Sequence, residues 1–257
     1  MNFSTKQVAA ELLKRRTASP DTQRLDEAMR PLNTEQALSV QFEMIDLHTD
    51  HVGGWKCLLP LSNDKLVLAP IFSNTIQHGE VCELFKDRGA ARIEPEIAFI
   101  LGKALPANSD GYSEQQINDA IGSCHMALEL MQSRFSEESG AEFHEKLADG
   151  LMNQGLFIGP EIQREKAFSA GNIDISIVQG DNQQQFVGLH PNTLAQTPIY
   201  WFINYMTRRG IHFKAGEAII TGSYCGIVNV GFSVPTTISY ADIGEYSVEF
   251  REKTPQS

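Results

Sequence analysis

No apolar run in the 257 residues approaches the ~20 consecutive residues that a membrane span needs, so a membrane partner is not expected. The opening stretch MNFSTKQVAAELLKRR has neither an apolar h-region nor a cleavage site of the secretory kind. Cysteine is sparse. Cys57, Cys82, Cys124 and Cys225 stand far apart with no Cys-x-x-Cys pair, which argues against a zinc ribbon or a dithiol redox motif and leaves reduced thiols in a cytoplasm as the expectation. Basic residues are outnumbered 21 to 32 for a formal net charge of −11, which argues against a nucleic-acid groove or an anionic membrane surface as partner. A small anionic substrate would then need a local cation, either a metal or gathered Lys and Arg. There is no internal repeat, no low-complexity tract and no linker long enough to divide domains. The expectation is a single catalytic domain over 1–257, helical at 1–52 and rich in strands over 53–253.

What the chain does contain is Glu94-Pro95-Glu96, opening the apolar run EPEIAFILGK. In a strand, residues two apart project to one face, so both carboxylates could meet one cation while Ile97, Phe99 and Leu101 anchor the other face. A chain this acidic should contain a Glu-x-Glu by chance, on a solvated face. Two details weigh against chance. Pro95 cannot donate to a sheet ladder and marks an edge or a bulge. Glu129, inside the apolar stretch HMALELMQSRF, would be costly to bury unless paired or bound to a metal. Three carboxylates form a hard oxygen site suited to Mg²⁺ or Mn²⁺.

Local patterns place the elements. Ser4 with Gln7 reads as a capping box opening a first helix, with Phe3 against Val8 as a staple, and Pro20 and Pro31 break the region that follows. A second helix begins near Asn33 or Thr34 and carries Ala37, Val40, Gln41, Met44 and Ile45 on one face. Strands are expected at WKCLL, at KLVLAPIF after the Ser62-Asn63-Asp64 turn, and at EIAFIL. Ser113 and Gln116 form a capping box for a helix through Ile117 and Ile121, and His125 to Arg134 is read as a strand. Ile173, Ile175 and Ile177 alternate and pair through a Gly180-Asp181-Asn182 turn with QQQFVGL. Leu194, Ile199, Phe202, Ile203 and Met206 share a helix face that Gly210 ends. The segments AIITG, IVNV, TTISY and EYSVEF are expected to close one sheet, with Tyr246, Val248 and Phe250 buried.

In order, these pieces resemble the fumarylacetoacetate hydrolase superfamily, and within it the 2-keto-4-pentenoate hydratase and 4-oxalocrotonate decarboxylase group. The likeness rests on the helix bearing Gln41, GGWK at Gly53 to Lys56, RIEPEIAFILGK at Arg92 to Lys103, ALELMQSRF at Ala127 to Phe135, the Gly188-Leu189-His190-Pro191 turn, and RGIHFKAGEAIITGS ending at Ser223. The resemblance implies an α+β fold, a mixed β-roll with N-terminal and outer helices, in a homo-oligomer. It implies that Glu94, Glu96 and Glu129 hold Mg²⁺ or Mn²⁺, with Lys56 reaching the same pocket as catalytic residue. The substrate implied is a small 2-oxo acid whose enolate the cation stabilises, and Lys56 would move a proton with its pKa lowered by burial and by the cation. On the substrate side, Arg92 is read as a partner of the carboxylates, Asp149 as the acid of an Ala-Asp-Asn-like segment, and Ser223 as a strand-end hydroxyl. His190, ahead of a proline, is read as structural.

The pattern also departs from the group. The Ile-Gly-Leu-Thr expected after the lysine is Cys57-Leu58-Leu59-Pro60. The Asp of Pro-Asp-Tyr-Gly is replaced by Ile71 in Pro70-Ile71-Phe72-Ser73. The spacing from Asp149 to Gly155 is one residue longer, and a serine pair gives way to Asn153-Gln154. The reading is a metal-dependent lyase of the hydratase type. A decarboxylase or C–C hydrolase on a 2-oxo or 1,3-diketo acid, or a noncatalytic paralogue subunit, stands as the alternative.

Overall fold

The computed structural model describes residues 3–16, 22–62 and 64–254; Pro20 and Asn63, read above as parts of a break and a turn, lie outside them. Two helices lead, α1 (Thr5–Arg15) and α2 (Thr34–Leu47). α1 starts after Ser4 as expected, yet Ser4 makes no side-chain cap bond, so the capping box is not formed; burial of Val8, Ala9 and Leu12 is what holds this helix. α2 is capped as the sequence suggests, with Asn33 accepting from the Gln36 N–H at 2.9 Å. Buried Gln41 donates Nε2 to the carbonyls of Leu68 (3.0 Å) and Leu147 (2.5 Å), tying α2 to the strands and to a later helix.

The larger sheet has eight strands. Across it run β2 (Leu68–Phe72), β1 (Val52–Cys57), β10 (Ala218–Ile220), β5 (Ala91–Leu101), β6 (Ile121–Met131), β7 (Asn153–Ile162) and β3 (Ile76–Gln77), while β11 (Val228–Val230) also pairs with β5. The β1–β10 and β3–β7 pairs are parallel and the rest antiparallel. β2 meets β7, so the sheet curls on itself. Gly53 and Gly54 permit that curl: a Cβ on Gly54 would stand 2.7 Å from the Ala218 carbonyl, and one on Gly53 2.8 Å from Ser73 Cα.

Register fixes which side chains share the inner face. Lys56 sits opposite Ile220, Ile220 opposite Ala98, Glu96 opposite Ala127, and Glu94 opposite Glu129. The other face carries Trp55, Ile97, Phe99, Leu101, Leu128 and Leu130 into the main core, which also takes residues from α1 and α2. Alternation along β5 therefore puts the acids and the apolar anchors on opposite faces, as the Glu-Pro-Glu spacing predicts.

The smaller sheet runs β4 (Val81–Leu84), β13 (Gly244–Glu252), β12 (Pro235–Tyr240), β8 (Asn172–Gln179) and β9 (Asn182–Leu189). The four C-terminal segments do not close one sheet. AIITG and IVNV supply β10 and β11 to the larger sheet, and TTISY and EYSVEF supply β12 and β13 to the smaller. Val248 and Phe250 are buried as expected, whereas Tyr246 is half-buried with its ring stacked on Phe157. Four further helices are α3 (Glu114–Ala120), α4 (Phe143–Ala148), α5 (Arg164–Ser169) and α6 (Thr197–Thr207). α3 has the predicted Ser113–Gln116 capping box but ends before Ile121, the first residue of β6, which runs on through most of the stretch read as a strand. α6 starts at Thr197, with Pro198 in its first turn, so Leu194 precedes the helix, and Gly210 beyond its end takes a φ of 88°. All four cysteines are free thiols. Among the described residues no helix is long and apolar enough to cross a membrane.

Candidate metal centre

Glu94 and Glu129 face each other across the β5–β6 ladder, and Glu96 lies two residues further along β5 on the same side. Each offers a carboxylate oxygen within 4.8 Å of the others, the one such cluster of potential ligands among the described residues. Glu96 and Glu129 are fully buried and Glu94 half-buried. Three acids this close repel one another, and burial adds to the cost of charging them.

Three groups offset that cost. Lys56 Nζ donates to Glu129 Oε1 at 2.6 Å and to the Leu151 carbonyl at 3.4 Å. Asn153 Nδ2 donates to the same Oε1 at 2.9 Å, and the Gly222 N–H donates to Glu96 Oε2 at 2.6 Å. The compensation is incomplete: Glu129 Oε2 is buried with no hydrogen-bond partner. Burial first, then Glu129, pushes the Glu94 carboxyl up to about 7, and the same two causes with Glu94 push Glu96 well above its ordinary value. Lys56 reverses the expectation from sequence. Burial lowers its pKa, but the attraction of Glu129, Glu94 and Glu96 outweighs burial, and the net shift is upward, so the ammonium keeps its proton.

The sheet is interrupted where the acids sit. β11 pairs with Ala91, Arg92 and Ile93, and β10 pairs with Ala98, Phe99 and Ile100, leaving a gap in that neighbour along residues 94–97. Pro95, with no N–H to give, stands in the gap. The Gly222–Tyr224 loop spans it: the Tyr224 N–H and the Ser223 hydroxyl both donate to the Pro95 carbonyl at 3.2 Å, and Gly222 reaches Glu96. Gly222 has a φ of 114°, and a Cβ there would meet Leu58 at 2.6 Å, so a side chain would displace the very donor that holds Glu96.

The other candidates are engaged elsewhere. Ser223 spends its hydroxyl on Pro95 and on the Gly226 carbonyl (3.2 Å), so it braces the strand between the two acids. Arg92 is buried and pairs with Asp87 at 2.5 Å, neither bonded to the glutamates nor a surface ion pair; its charge still favours the ionised form of Glu94. Asp149 is buried with both oxygens held by Arg134 Nε at 2.8 and 2.7 Å. His190 is buried, its pKa pushed down to about 4 by burial, and its Nδ1 accepts from the Asn192 N–H, which matches the structural reading. Ile71, where the resembling enzymes carry an acid, is fully buried against Ala98, Leu156 and Ile220 on the inner face.

Sequence reasoning missed Asn153, Gly222 and the Leu151 carbonyl. Leu156 and Ile158 share the inner cluster, so strict alternation would point Asn153 outward, but a register shift between Leu130 and Met131 lets it reach Glu129. The extra residue between Asp149 and Gly155 is absorbed by a tight loop: Gly150, Leu151 and Met152 have φ of 85°, 53° and 66°. That loop delivers the Leu151 carbonyl to Lys56.

No family model matches the chain. Solved structures share its fold. 4-Oxalocrotonate decarboxylase from Pseudomonas putida G7, complexed with magnesium and adipate, superposes with a TM-score of 0.76 over 96% of this chain and 97% of its own, at 17% identity. A protein from Yersinia pestis assigned to the fumarylacetoacetate hydrolase family matches at a TM-score of 0.54 and 21% identity over 76% of this chain and 90% of its own. Fumarylpyruvate hydrolase from Pseudomonas aeruginosa, in complex with Mn²⁺ and pyruvate, matches at 0.52 and 14% over 74% and 81%. The decarboxylase matches this chain nearly end to end, so the two share one α+β fold, and the Yersinia pestis protein and the fumarylpyruvate hydrolase share much of it.

Proposed function

We propose that this chain is a divalent-cation-dependent lyase acting on a small 2-oxo acid. The observation that carries the reading is a cluster of three carboxylates, two fully buried and one half-buried, with one oxygen, Glu129 Oε2, left without a partner among the described residues. Hard oxygen donors of this kind fit Mg²⁺ or Mn²⁺, and Glu94, Glu96 and Glu129 would hold the ion. When bound, such a cation polarises the carboxylate and keto oxygens of a 2-oxo acid and stabilises the negative charge of its enolate. The neighbours' ligands support the choice: magnesium and adipate, calcium and acetate, Mn²⁺ and pyruvate.

The chain's own residues divide the remaining work. Gly222 N–H and Asn153 Nδ2 orient Glu96 and Glu129. Lys56 Nζ holds a proton beside the cluster and is the group placed to deliver it to a substrate carbon or oxygen as charge develops there. The apolar residues that flank the acids on the inner face, Leu156 beside Glu129 and Ile220 beside Lys56, keep bulk water from those sides.

Hydration of a 2-oxo-alkenoate needs a further group to position water on the far carbon, and the Asp expected for it is Ile71. Decarboxylation asks less: a C–C bond breaks, CO₂ leaves, and one proton replaces it. The buried Ile71 therefore favours decarboxylation over hydration. Two assays separate the readings, each with Mg²⁺ or Mn²⁺ and with a chelator control. Purified protein should release CO₂ from 4-oxalocrotonate; hydration would instead consume the diene absorbance of 2-hydroxypenta-2,4-dienoate. No turnover of either, together with no cation binding by calorimetry, would sink the proposal.

A further inference from the structure

A cavity of about 370 Å³ opens between the N-terminal helices and the strand ends, walled by Arg16, Arg134, Lys253, Phe72 and Phe85, with Glu83 as the acid on its lining. None of the three glutamates lines it. Its two guanidinium groups converge: Arg16 Nη1 (3.1 Å) and Arg134 Nη2 (2.8 Å) donate to one oxygen, the Asp149 carbonyl. Two like charges on one acceptor are costly, and among the described residues a single buried carboxylate, that of Asp149, is bonded to them, through Arg134 Nε. Arg134 is 1% exposed and its Nη1 is buried with no partner. Among the described residues, Arg16 gives two of its five N–H donors to protein carbonyls, Asp149 and Asn153. Burial, and then Arg134, push the Arg16 guanidinium down to about 9, as expected for a cation short of a counter-charge. His48 on the same wall is also shifted down, by burial and by Arg16, and so adds no charge near neutral pH.

We propose that this cavity is an anion site that receives the carboxylate of a small organic acid between Arg16 and Arg134. The lining carries three cations against one exposed acid, in a molecule whose net charge is −11. Planar guanidinium forks suit a carboxylate, and Phe85, half-buried on the same lining, offers an apolar wall for the carbon skeleton. The site does not depend on a cation at the glutamates, although the backbone of Asn153 touches Arg16 while its side chain touches Glu129.

The test titrates succinate into the full chain by calorimetry. Binding to the wild-type protein should weaken at least tenfold in Arg16→Met and recover in part in Arg16→Lys, while Glu129→Gln leaves it unchanged. Arg134 is a poor first target because its removal would strand buried Asp149. Absence of succinate binding to wild type, or equal binding in Arg16→Met, overturns the site. Repeating the titration with Mg²⁺ and oxalate already bound distinguishes the source of the carboxylate: unchanged affinity marks a separate acid, and mutual exclusion marks the far end of the molecule that also occupies the glutamate centre.

Discussion

The inner face of the curled sheet carries two clusters side by side, with opposite chemistry. In the first Lys56, Glu94, Glu96 and Glu129 gather; in the second Ile71, Ala98, Leu156, Ala218 and Ile220 pack with almost no exposure. They meet across the ladders, where Glu129 faces Leu156, Lys56 faces Ile220 and Glu96 faces Ala127. The backbone sets the first apart through the gap at residues 94–97, which admits the Gly222–Tyr224 loop. What allows charge at one and forbids it at the other is the supply of partners: an ammonium, an amide and the free N–H of Gly222 at the first, none of these bonded into the second.

The largest break of that contrast is Ala98→Asp, which puts a fourth acid opposite His125, whose two ring nitrogens are already engaged by the Gly159 carbonyl and the Ser123 hydroxyl. It should cost on the order of 4 kcal/mol in denaturant unfolding, and wild-type stability would mean that the inner face is wetter than it looks. Lys56→Met attacks the charged cluster instead. Without cation, at pH 8, about 3 kcal/mol should be lost, less at pH 5 where the acids can protonate, and added Mn²⁺ should restore most of it; equal loss at both pH values would deny that Lys56 acts by charge. Glu129→Gln keeps the shape and removes one ligand charge. Its Mn²⁺ affinity should fall about 100-fold, or about 2.7 kcal/mol, and an unchanged affinity would remove Glu129 from the centre.

Proton linkage sharpens the comparison further. Glu94 and Glu96 carry raised values, so the folded chain holds protons that the unfolded chain has released; their stabilising effect is complete below the ordinary glutamate range, about 4.5, and the share of Glu94 fades as pH rises through about 7. Lys56, also raised, contributes below its ordinary value near 10.5 and so stays constant over this window. Cation-free protein should therefore lose stability between pH 5 and 8 from this cluster, while Mn²⁺ affinity rises over the same range with proton release. Calorimetry in buffers of different ionisation enthalpy reads that release, and none at pH 6 would contradict the raised carboxyls. The smallest effect is expected for Asn153→Ala, about 1 kcal/mol in apo stability with a modest loss of Mn²⁺ affinity, since one of two donors to Glu129 Oε1 is removed.

Much of the charged cluster was readable because a strand's period of two is reliable: Glu94 and Glu96 share a face, with Ile97 and Phe99 opposed, and Glu129 stood out as an acid in apolar company. Lys56 came from the resemblance. Its raised pKa did not, because the sum of three nearby acids depends on distances that no spacing in sequence contains. Pro95 was readable as a break, but that it sits in a gap between β10 and β11 depends on two strands some 120 residues away in the chain. Gly222 contributes a backbone N–H, which any residue has, and Asn153 arrives through a register shift; neither leaves a mark in composition or periodicity. Arg92 and Asp149 show the converse, charged residues in suggestive positions whose partners turn out to be Asp87 and Arg134.

The left-handed run at 150–152 leaves this protein with a trade-off for anyone who engineers it. Leu151 and Met152 hold conformations that asparagine or glycine would adopt more readily, so substitutions there offer an easy gain in thermal tolerance. The same relaxation would loosen the carbonyl on which the Lys56 ammonium leans. Variants selected for heat resistance at this loop should therefore be the first to slow in turnover.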